Sequence, residues 1–266
     1  MFYKRALLMS CLALCIYSGC VVNPVTGKRE LMLVAESNDI EIGQKYAPEI
    51  TKELGGEIQD AALQSYINNV GQKIAAVCDS PDWEFHFAAV VDDSVNAFAL
   101  PGGYIFITKG LLTKLQTEAQ LAAILGHEIV HVVARDTANV MSREIGLNIL
   151  LSAVTSEQTP ETVTTVANLT KQIVGLSYSR KDERTADLGG LKYIAKAGYD
   201  PRGMLQTMQI LQSLSEASTI DFFSTHPSPE NRIGYINEEI QKKYSNTANP
   251  RIGKEDYQKN ILNRLN

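Results

Sequence analysis

One apolar segment near the middle of this sequence constrains the fold more than any other. Residues 121–133 are apolar nearly all round a helix, so this helix must lie inside a folded domain. His127 and His131 stand within it, four residues apart, and Glu128 follows the first histidine. Residues at that spacing project from the same face of a helix. Buried histidine and glutamate side chains need partners, and a bound metal ion would supply one.

The arrangement matches a metal-binding pattern with known chemistry. Two neutral imidazoles four residues apart can bind one Zn²⁺ through ring nitrogens. Glu128 lies one residue further round the helix, where its carboxylate can reach a water on the metal without binding the metal itself. This is the His-Glu-x-x-His pattern of zinc proteases. We therefore predict one Zn²⁺ per chain, bound by His127 and His131, with Glu128 as the general base.

A catalytic zinc ion keeps three protein ligands and one open position, so a third ligand must come from another part of the chain. The metzincin pattern would require glycine at 134 and histidine at 137, where this sequence has Ala134 and Thr137. Thermolysin-like enzymes use a glutamate roughly 20 residues downstream. The nearest candidates of that kind are Glu144, Glu157 and Glu161.

Glu183 fits the third position better. It opens the sequence Glu-Arg-Thr-Ala-Asp within a helix predicted over 181–197. Glu183 and Asp187 share one helix face because they are four residues apart. One carboxylate can therefore bind the metal while the other accepts a hydrogen bond from the free ring N–H of a ligand histidine. The alternative is an ordinary solvated face, since charged residues flank Glu183.

The remaining patterns predict an α+β domain that is mainly helical, with one small sheet or hairpin. Residues 83–91 and 96–108 are rich in β-branched and aromatic side chains, and Pro101-Gly102-Gly103 divides the second segment as a hairpin turn would. Thr117 and Gln120 form a capping pattern in front of the helix that carries the histidines. Further helices are predicted at 138–153, 161–176, 181–197, 201–215 and 229–243.

The start of the chain has the order of a secretory signal. Lys4 and Arg5 precede a mostly apolar stretch over residues 6–17, which is too short to span a membrane, and Ser18-Gly19-Cys20 follows. Small residues before a cysteine suggest a bacterial lipoprotein signal, which would leave Cys20 as the lipid-bearing N-terminus. Tyr17 stands where such signals usually carry leucine, so a plain signal peptide or an uncleaved anchor stays open.

These observations divide the chain into four parts. We assign residues 1–19 to the lipoprotein signal, 20–35 to a linker, 36–243 to a zinc metalloprotease domain and 244–266 to a polar tail, which we expect to pack loosely.

Composition narrows the classes of partner. A chain of 266 residues with 44% apolar and 21% charged residues is not a disordered, collagen-like or multi-span membrane protein. Its formal net charge of −5 gives no attraction to phosphate backbones or to anionic lipid. We therefore expect no nucleic-acid partner, and membrane contact only through acyl chains on Cys20.

Several separated motifs together resemble one protease family. Residues 96–103, Asn-Ala-Phe-Ala-Leu-Pro-Gly-Gly, precede the histidine motif at 127–131, and Glu-Arg-Thr-Ala-Asp follows at 183–187. Asn-Pro-Val-Thr-Gly at 23–27 comes before them all, and residues 225–232, Thr-His-Pro-Ser-Pro-Glu-Asn-Arg, come last. In type and order these motifs resemble the gluzincin family of the CAAX prenyl protease and HtpX. No segment resembles the transmembrane helices of those two proteins, which favours the soluble periplasmic branch of the family.

The resemblance covers about residues 23–242 and implies a zincin-like domain with Glu183 as the third zinc ligand. It places the loop residue His226 over the active site, where it could stabilise the oxyanion or bind zinc in a resting state. It also implies that Asp187 supports a ligand histidine. Two functional roles are open for Arg232, pairing with Asp187 or steadying the His226 loop, and it could equally be a surface arginine. The residues that would present an extended edge to a peptide are Asn96, Ala97, Phe98, Gly102 and Gly103.

The activity implied by the resemblance is that of a zinc-dependent endopeptidase of the bacterial cell envelope, acting on misfolded or unassembled proteins. The alternative is a chaperone or assembly factor for outer-membrane proteins with latent protease activity. Polypeptides are then the expected substrates, and the outer-membrane assembly machinery is a candidate partner. Val21, rather than aspartate, follows Cys20. By resemblance to lipoprotein sorting, this favours the periplasmic face of the outer membrane.

Overall fold

The computed structural model describes residues 20–143, 177–217, 220–228 and 230–265. The predicted signal at 1–19 lies outside these ranges, as do the alternative ligand candidates Glu144, Glu157 and Glu161. Helix is described over 136–143, and the rest of the two helices predicted between 138 and 176 falls outside the described residues. No helix in the part of the chain that is described is both long and apolar enough to cross a membrane.

The described residues form an α+β fold in which helices predominate, as predicted. The strands are β1 (Cys20–Val22), β2 (Arg29–Leu31), β3 (His86–Val90), β4 (Ala97–Leu100) and β5 (Tyr104–Thr108). The helices are α1 (Glu36–Glu53), α2 (Ala61–Ala75), α3 (Lys109–Leu112), α4 (Glu118–Ala134), α5 (Arg180–Lys196), α6 (Arg202–Ala217), α7 (Phe222–Thr225), α8 (Arg232–Lys243), α9 (Lys254–Tyr257) and α10 (Asn263–Leu265). A 3₁₀ turn spans Pro101–Gly103 and a π-helical turn spans Gln258–Leu262.

Three strands form the small sheet, in the order β3-β5-β4. β4 and β5 pair antiparallel around the Pro101–Gly103 turn, so the predicted hairpin is confirmed. β3 pairs with β5 in parallel, with His86 opposite Tyr104. β4 therefore lies at one edge of the sheet as far as the described strands extend. A separate antiparallel pair, β1 with β2, occupies part of the predicted linker.

α4 is the central element of the core. Thr117 caps it as predicted, its side chain accepting a hydrogen bond from the Gln120 backbone N–H. Every residue of α4 is buried, because α2, α5, α6 and β4 pack around it. The helix ends where Arg135 adopts a left-handed conformation, with φ at 55°. The fully apolar pattern of the segment is thus explained by contacts on all sides.

α5 lies unusually close to α4, which brings the two candidate motifs together. A Cβ on Gly190 would come within 2.9 Å of the His127 backbone nitrogen, so a larger residue has no room there. The N-terminus of α5 is fixed by a capping box between Ser179 and Asp182. Glu183 follows directly, in the first turn of the helix.

The C-terminal segment packs against the core, so the expectation of a loosely packed tail is wrong. Tyr257 and Ile261 are fully buried, and the Tyr257 hydroxyl donates a hydrogen bond to the Leu112 carbonyl 2.7 Å away. Arg251 pairs with Glu118 at the start of α4. The segment is polar in composition, but Tyr257 and Ile261 anchor it in the core, with Leu262 and Leu265 packed against it.

Candidate metal centre

His127 and His131 project from one face of α4, as their spacing predicts. Both side chains are buried, and their Nε2 atoms lie 3.1 Å apart. The two rings meet edge-on, with centroids separated by 4.8 Å. The helix thus presents two imidazole nitrogens to a single point in the interior.

Glu183 reaches the same point from α5. Its Oε1 lies 3.3 Å from His131 Nε2, and its Oε2 lies 3.5 Å from His127 Nε2. The side chain is fully buried, so the alternative of an ordinary solvated face is wrong. The structure therefore brings together the three residues that the sequence proposes as metal ligands.

His226, at the C-terminal end of α7, completes a group of four. Its Nδ1 lies 2.8 Å from Glu183 Oε1 and 3.4 Å from His127 Nε2. One donor atom from each of His127, His131, Glu183 and His226 lies within 4.8 Å of every other. The Phe222 ring stacks against the His226 imidazole, with centroids 4.5 Å apart, and holds it in this position.

Glu128 lies beside this group but is not part of it. Its Oε1 is 3.6 Å from His226 Nε2, and the side chain is fully buried. Neither carboxylate oxygen has a hydrogen-bond partner among the described residues. A buried carboxylate without donors is costly unless a substrate, a water or a cation completes its surroundings.

Asp187 supports the cluster from one turn further along α5. Its Oδ1 is 3.1 Å from His127 Nδ1, a distance suited to an ion pair although the approach is poorly directed for a hydrogen bond. Arg232 donates two hydrogen bonds to the same carboxylate, and the Tyr235 hydroxyl donates a third. The pairing of Arg232 with Asp187, one of two expected roles, is therefore observed.

Asp136 and Tyr178 also belong to the site, and sequence reasoning did not find them. His131 Nδ1 donates a hydrogen bond to Asp136 Oδ2 at 2.8 Å. The Tyr178 ring stacks on the His131 imidazole with centroids 4.0 Å apart, and its hydroxyl lies 3.0 Å from Thr137 Oγ1. Asp136 is brought back to the histidine only because the chain turns at Arg135, and no periodic pattern marks that turn.

Charge inside the cluster favours a cation. Burial raises the pKa of Glu183, but the neighbouring His226 and His127 imidazoles outweigh this and hold the pKa well below its ordinary value. Burial likewise raises the pKa of Asp187, and Arg232 and His127 more than compensate. Both carboxylates are therefore ionised, and they stabilise positive charge among the imidazoles beside them. A divalent cation would supply that charge.

The donor set fits zinc. Ligand atoms placed about 2.0–2.1 Å from one ion in a tetrahedral arrangement lie ~3.3 Å apart. The contacts among His127, His131 and Glu183 range from 3.1 to 3.5 Å. Imidazole nitrogens and a carboxylate are the ligand types that Zn²⁺ prefers. Carboxylates placed beside the Nδ1 atoms of ligand histidines, as Asp136 is by a hydrogen bond and Asp187 by a close contact, orient imidazoles toward a metal.

The residues expected to bind substrate lie along β4 and its turn. Ala97 and Phe98 are buried within β4, while Gly102 and Gly103 form the turn with φ angles of 78° and 90°. Asn96 precedes β4, where its backbone exchanges hydrogen bonds with Thr108, and its side-chain Oδ1 is buried without a partner in the described part of the chain. Cys20, the expected lipid site, begins β1.

Comparison with known sequences assigns the family. The sequence model of Peptidase family M48 matches residues 61–240, a range that contains every member of the four-residue cluster. The chain therefore belongs to peptidase family M48. Membership of this family, together with the histidine and carboxylate cluster, defines it as a zinc-dependent metalloprotease.

Named relatives agree with this assignment. The chain is 32% identical over 189 residues to a putative beta-barrel assembly-enhancing protease of Vibrio cholerae, an overlap covering 66% of this chain and 39% of the relative. It is 30% identical over 192 residues to the beta-barrel assembly-enhancing protease of Escherichia coli, covering 66% and 38%. It is also 30% identical over 229 residues to the mitochondrial metalloendopeptidase OMA1 of Schizosaccharomyces pombe, covering 81% and 65%. The chain spans about two fifths of the length of the two bacterial relatives.

Proposed function

We propose that this protein is a zinc-dependent endopeptidase that cleaves misfolded or unassembled polypeptides of the bacterial cell envelope. One observation carries the proposal. His127, His131 and Glu183, from two different helices, converge within 3.5 Å, and the unpartnered carboxylate of Glu128 lies beside them. A site with only a structural role would have no use for that buried acid.

The three converging residues hold the metal in this proposal. When bound, Zn²⁺ supplies Lewis acidity, which lowers the pKa of a water molecule and polarises a peptide carbonyl. Glu128 accepts the proton of the attacking water and later donates it to the leaving amine. Its two oxygens suit this role because no donor in the described residues holds them. Asp136 and Asp187 keep the ligand imidazoles in orientation.

His226 has two roles in the proposal, and the first is to be the fourth metal ligand in a resting state. Its Nδ1 approaches Glu183 and His127 as closely as the other donors approach one another. A peptide carbonyl would need the position that His226 occupies, so the His226 loop has to move before cleavage. After such a movement, His226 stays available to stabilise the oxyanion.

The edge strand β4 is the proposed binding site for an extended peptide. Its hydrogen-bonding edge opposite β5 is not paired by any described strand. A peptide that pairs through its backbone adds a strand to such an edge, which gives broad sequence tolerance. Asn96, Ala97, Phe98, Gly102 and Gly103 form or flank this edge.

Location and partners follow from the relatives and from the N-terminal pattern. The bacterial relatives are named beta-barrel assembly-enhancing proteases. From those names and the N-terminal pattern we propose that this protein is a lipoprotein, anchored through Cys20 at the periplasmic face of the outer membrane. It would act near the outer-membrane assembly machinery. The second candidate function, a chaperone for outer-membrane proteins with latent protease activity, is favoured by the same names and by the closed position of His226.

Cleavage of casein by the zinc-loaded protein tests the leading proposal. The wild type should cleave casein, a chelator should abolish cleavage, and added Zn²⁺ should restore it. Glu128→Gln should retain stoichiometric zinc but lose cleavage by at least about a hundredfold, since general-base catalysis contributes roughly 10²–10⁴. Normal cleavage by Glu128→Gln would refute the base assignment. In cells, a chaperone would survive Glu128→Gln but not deletion, whereas a protease would be lost in both.

A further inference from the structure

A cavity of about 260 Å³ lies beside the turn that ends β4. We propose that it binds the cationic side chain of a lysine or arginine in the polypeptide substrate, an inference that rests on the proposed peptidase function. Six residues on its wall carry the argument, and we call the space the acidic cavity. They are Glu36, Asp39, Asp82, Trp83, Glu84 and Tyr104.

The charge of the acidic cavity selects a cation. Four carboxylates line it, from the first turns of α1 and from the segment before β3. Among the described residues, no lysine or arginine contributes to its wall. The cavity is smaller than the about 300–1,000 Å³ of sites that take drug-sized ligands, so it suits one side chain rather than a larger molecule.

Aromatic rings favour an organic cation over a metal ion. Trp83 and Tyr104 both line the cavity, and the His86 ring stacks on Tyr104 with centroids 4.3 Å apart. A guanidinium or ammonium group is attracted to the faces of such rings, most strongly to tryptophan. A small metal ion would instead need several oxygen ligands converging on one point.

Asp39 gives an independent sign that a partner is missing. The residue is only 5% exposed, and its Oδ2 accepts a hydrogen bond from Arg135 Nε at 2.6 Å. Its other oxygen, Oδ1, is buried and has no hydrogen-bond partner among the described residues. A buried carboxylate oxygen left in this way is costly, and positive charge in the adjacent cavity would stabilise it.

The position of the cavity connects it to the substrate strand. Gly102 forms part of the wall, and it packs so closely on α1 that a Cβ there would lie 2.7 Å from the Asp39 carbonyl oxygen. A narrow gap lined by Asp39, Gly102 and His131 lies on the metal-centre side of the turn. A peptide paired along β4 would therefore run from the metal centre toward the acidic cavity, where one of its side chains could enter.

Trp83 makes binding measurable without cleavage, because it is the only tryptophan in the chain. The probe is a peptide, acetyl-Gly-Ser-Arg-Ser-Gly-amide, and its control is the same peptide with neutral citrulline in place of arginine. Titrated into the zinc-loaded protein, the arginine peptide should change Trp83 fluorescence with an affinity at least about fivefold higher than the citrulline peptide. Mass spectrometry of the peptide verifies that it stays intact.

Matched variants locate the binding. Asp82→Asn combined with Glu84→Gln should lower the preference for arginine, since two of the four carboxylates lose their charge and both side chains are exposed at the cavity. Glu53→Gln combined with Glu238→Gln changes the charge equally at exposed sites elsewhere and should preserve the preference. Equal affinities for the two peptides, an unchanged preference in the cavity variant, or a fluorescence response to CaCl₂ alone would each overturn the inference.

Casein cleavage measured on the same preparations separates the two proposals. Cleavage without an arginine preference would overturn the cavity assignment and leave the peptidase intact. If the arginine peptide binds more tightly by fluorescence but no casein is cleaved, the proposed peptidase activity is refuted. The assignment of the cavity's ligand as a substrate side chain then fails with it.

Discussion

The guanidinium group of Arg232 binds the Asp187 carboxylate through both of its oxygens. Nε donates to Oδ2 at 2.9 Å and Nη2 donates to Oδ1 at 2.7 Å, with both side chains buried. The same Nη2 lies 3.3 Å from Glu183 Oε2. One arginine from α8 thus balances two carboxylates of α5, and it ties the helix after the His226 loop to the metal centre.

Removal of Arg232 should destabilise the protein strongly. In Arg232→Met the apolar stem is kept, but two buried carboxylates lose their cationic partner. We expect the free energy of unfolding to fall by about 3–5 kcal/mol, measured by urea denaturation of the metal-free protein. Arg264→Met removes an exposed partner of Asp60 and should have only a small effect. A loss in Arg232→Met no larger than in Arg264→Met would contradict the role given to the buried pair.

Asp136 should tune zinc affinity through His131. Asp136→Asn keeps the shape of the side chain but removes the charge that accepts the His131 Nδ1 hydrogen. Zinc affinity should fall by about 10–100-fold in competition with a chelator. Asp221→Asn is the control, since Asp221 is exposed and its side chain makes no capping hydrogen bond. Unchanged affinity in Asp136→Asn would remove Asp136 from the site.

His226 should contribute to zinc binding if it is the fourth donor. His226→Ala should then weaken zinc binding measurably, because one imidazole donor is lost from the cluster. A residue that acted only on the oxyanion would leave zinc affinity unchanged and lower the rate of casein cleavage. Phe223→Ala, at a half-buried neighbouring position of the same helix, controls for a general disturbance of the loop.

The Glu118–Arg251 pair should make stability depend on pH in the acid range. Burial raises the pKa of Glu118, but hydrogen bonds from Arg251 and Tyr66 outweigh it and hold the pKa below its ordinary value. Because the folded pKa is depressed, this stabilisation is fully present above the unfolded pKa and is lost as the pH falls through the folded pKa. Wild-type stability should therefore drop between about pH 5 and pH 3.

Glu118→Gln checks that assignment. Its free energy of unfolding, measured by urea denaturation at several pH values, should fall less steeply than that of the wild type across the same range. Glu53→Gln, at an exposed position, should follow the wild-type curve. Parallel curves for the wild type and Glu118→Gln would show that Glu118 does not carry the effect.

The parts of the site that lie on regular helices were predictable from the sequence. The four-residue spacing of His127 and His131 fixes their common face on any helix, and the same spacing places Glu183 and Asp187 together on another. Burial of α4 followed from its apolar composition. The capping residue Thr117 marked where that helix begins.

Contacts made across irregular backbone were not predictable. Asp136 reaches His131 because Arg135 adopts a left-handed conformation, and nothing in the sequence requires this at an arginine. Tyr178 stacks on His131 although the two residues lie far apart in the sequence. The parallel pairing of β3 with β5 joins segments that no local pattern relates. Tyr257 and Ile261 anchor the polar C-terminal segment in the core. Two buried side chains are too few to produce a hydrophobic periodicity that the sequence would reveal.

Zinc binding by Glu183→Ala tests the central claim most directly. Wild-type protein should bind one Zn²⁺ per chain, and loss of the carboxylate that lies within 3.5 Å of both helix histidines should weaken binding by at least about a hundredfold. Glu238→Ala, at an exposed position of α8, should bind zinc like the wild type. Stoichiometric zinc in Glu183→Ala with an unchanged dissociation constant would contradict the account.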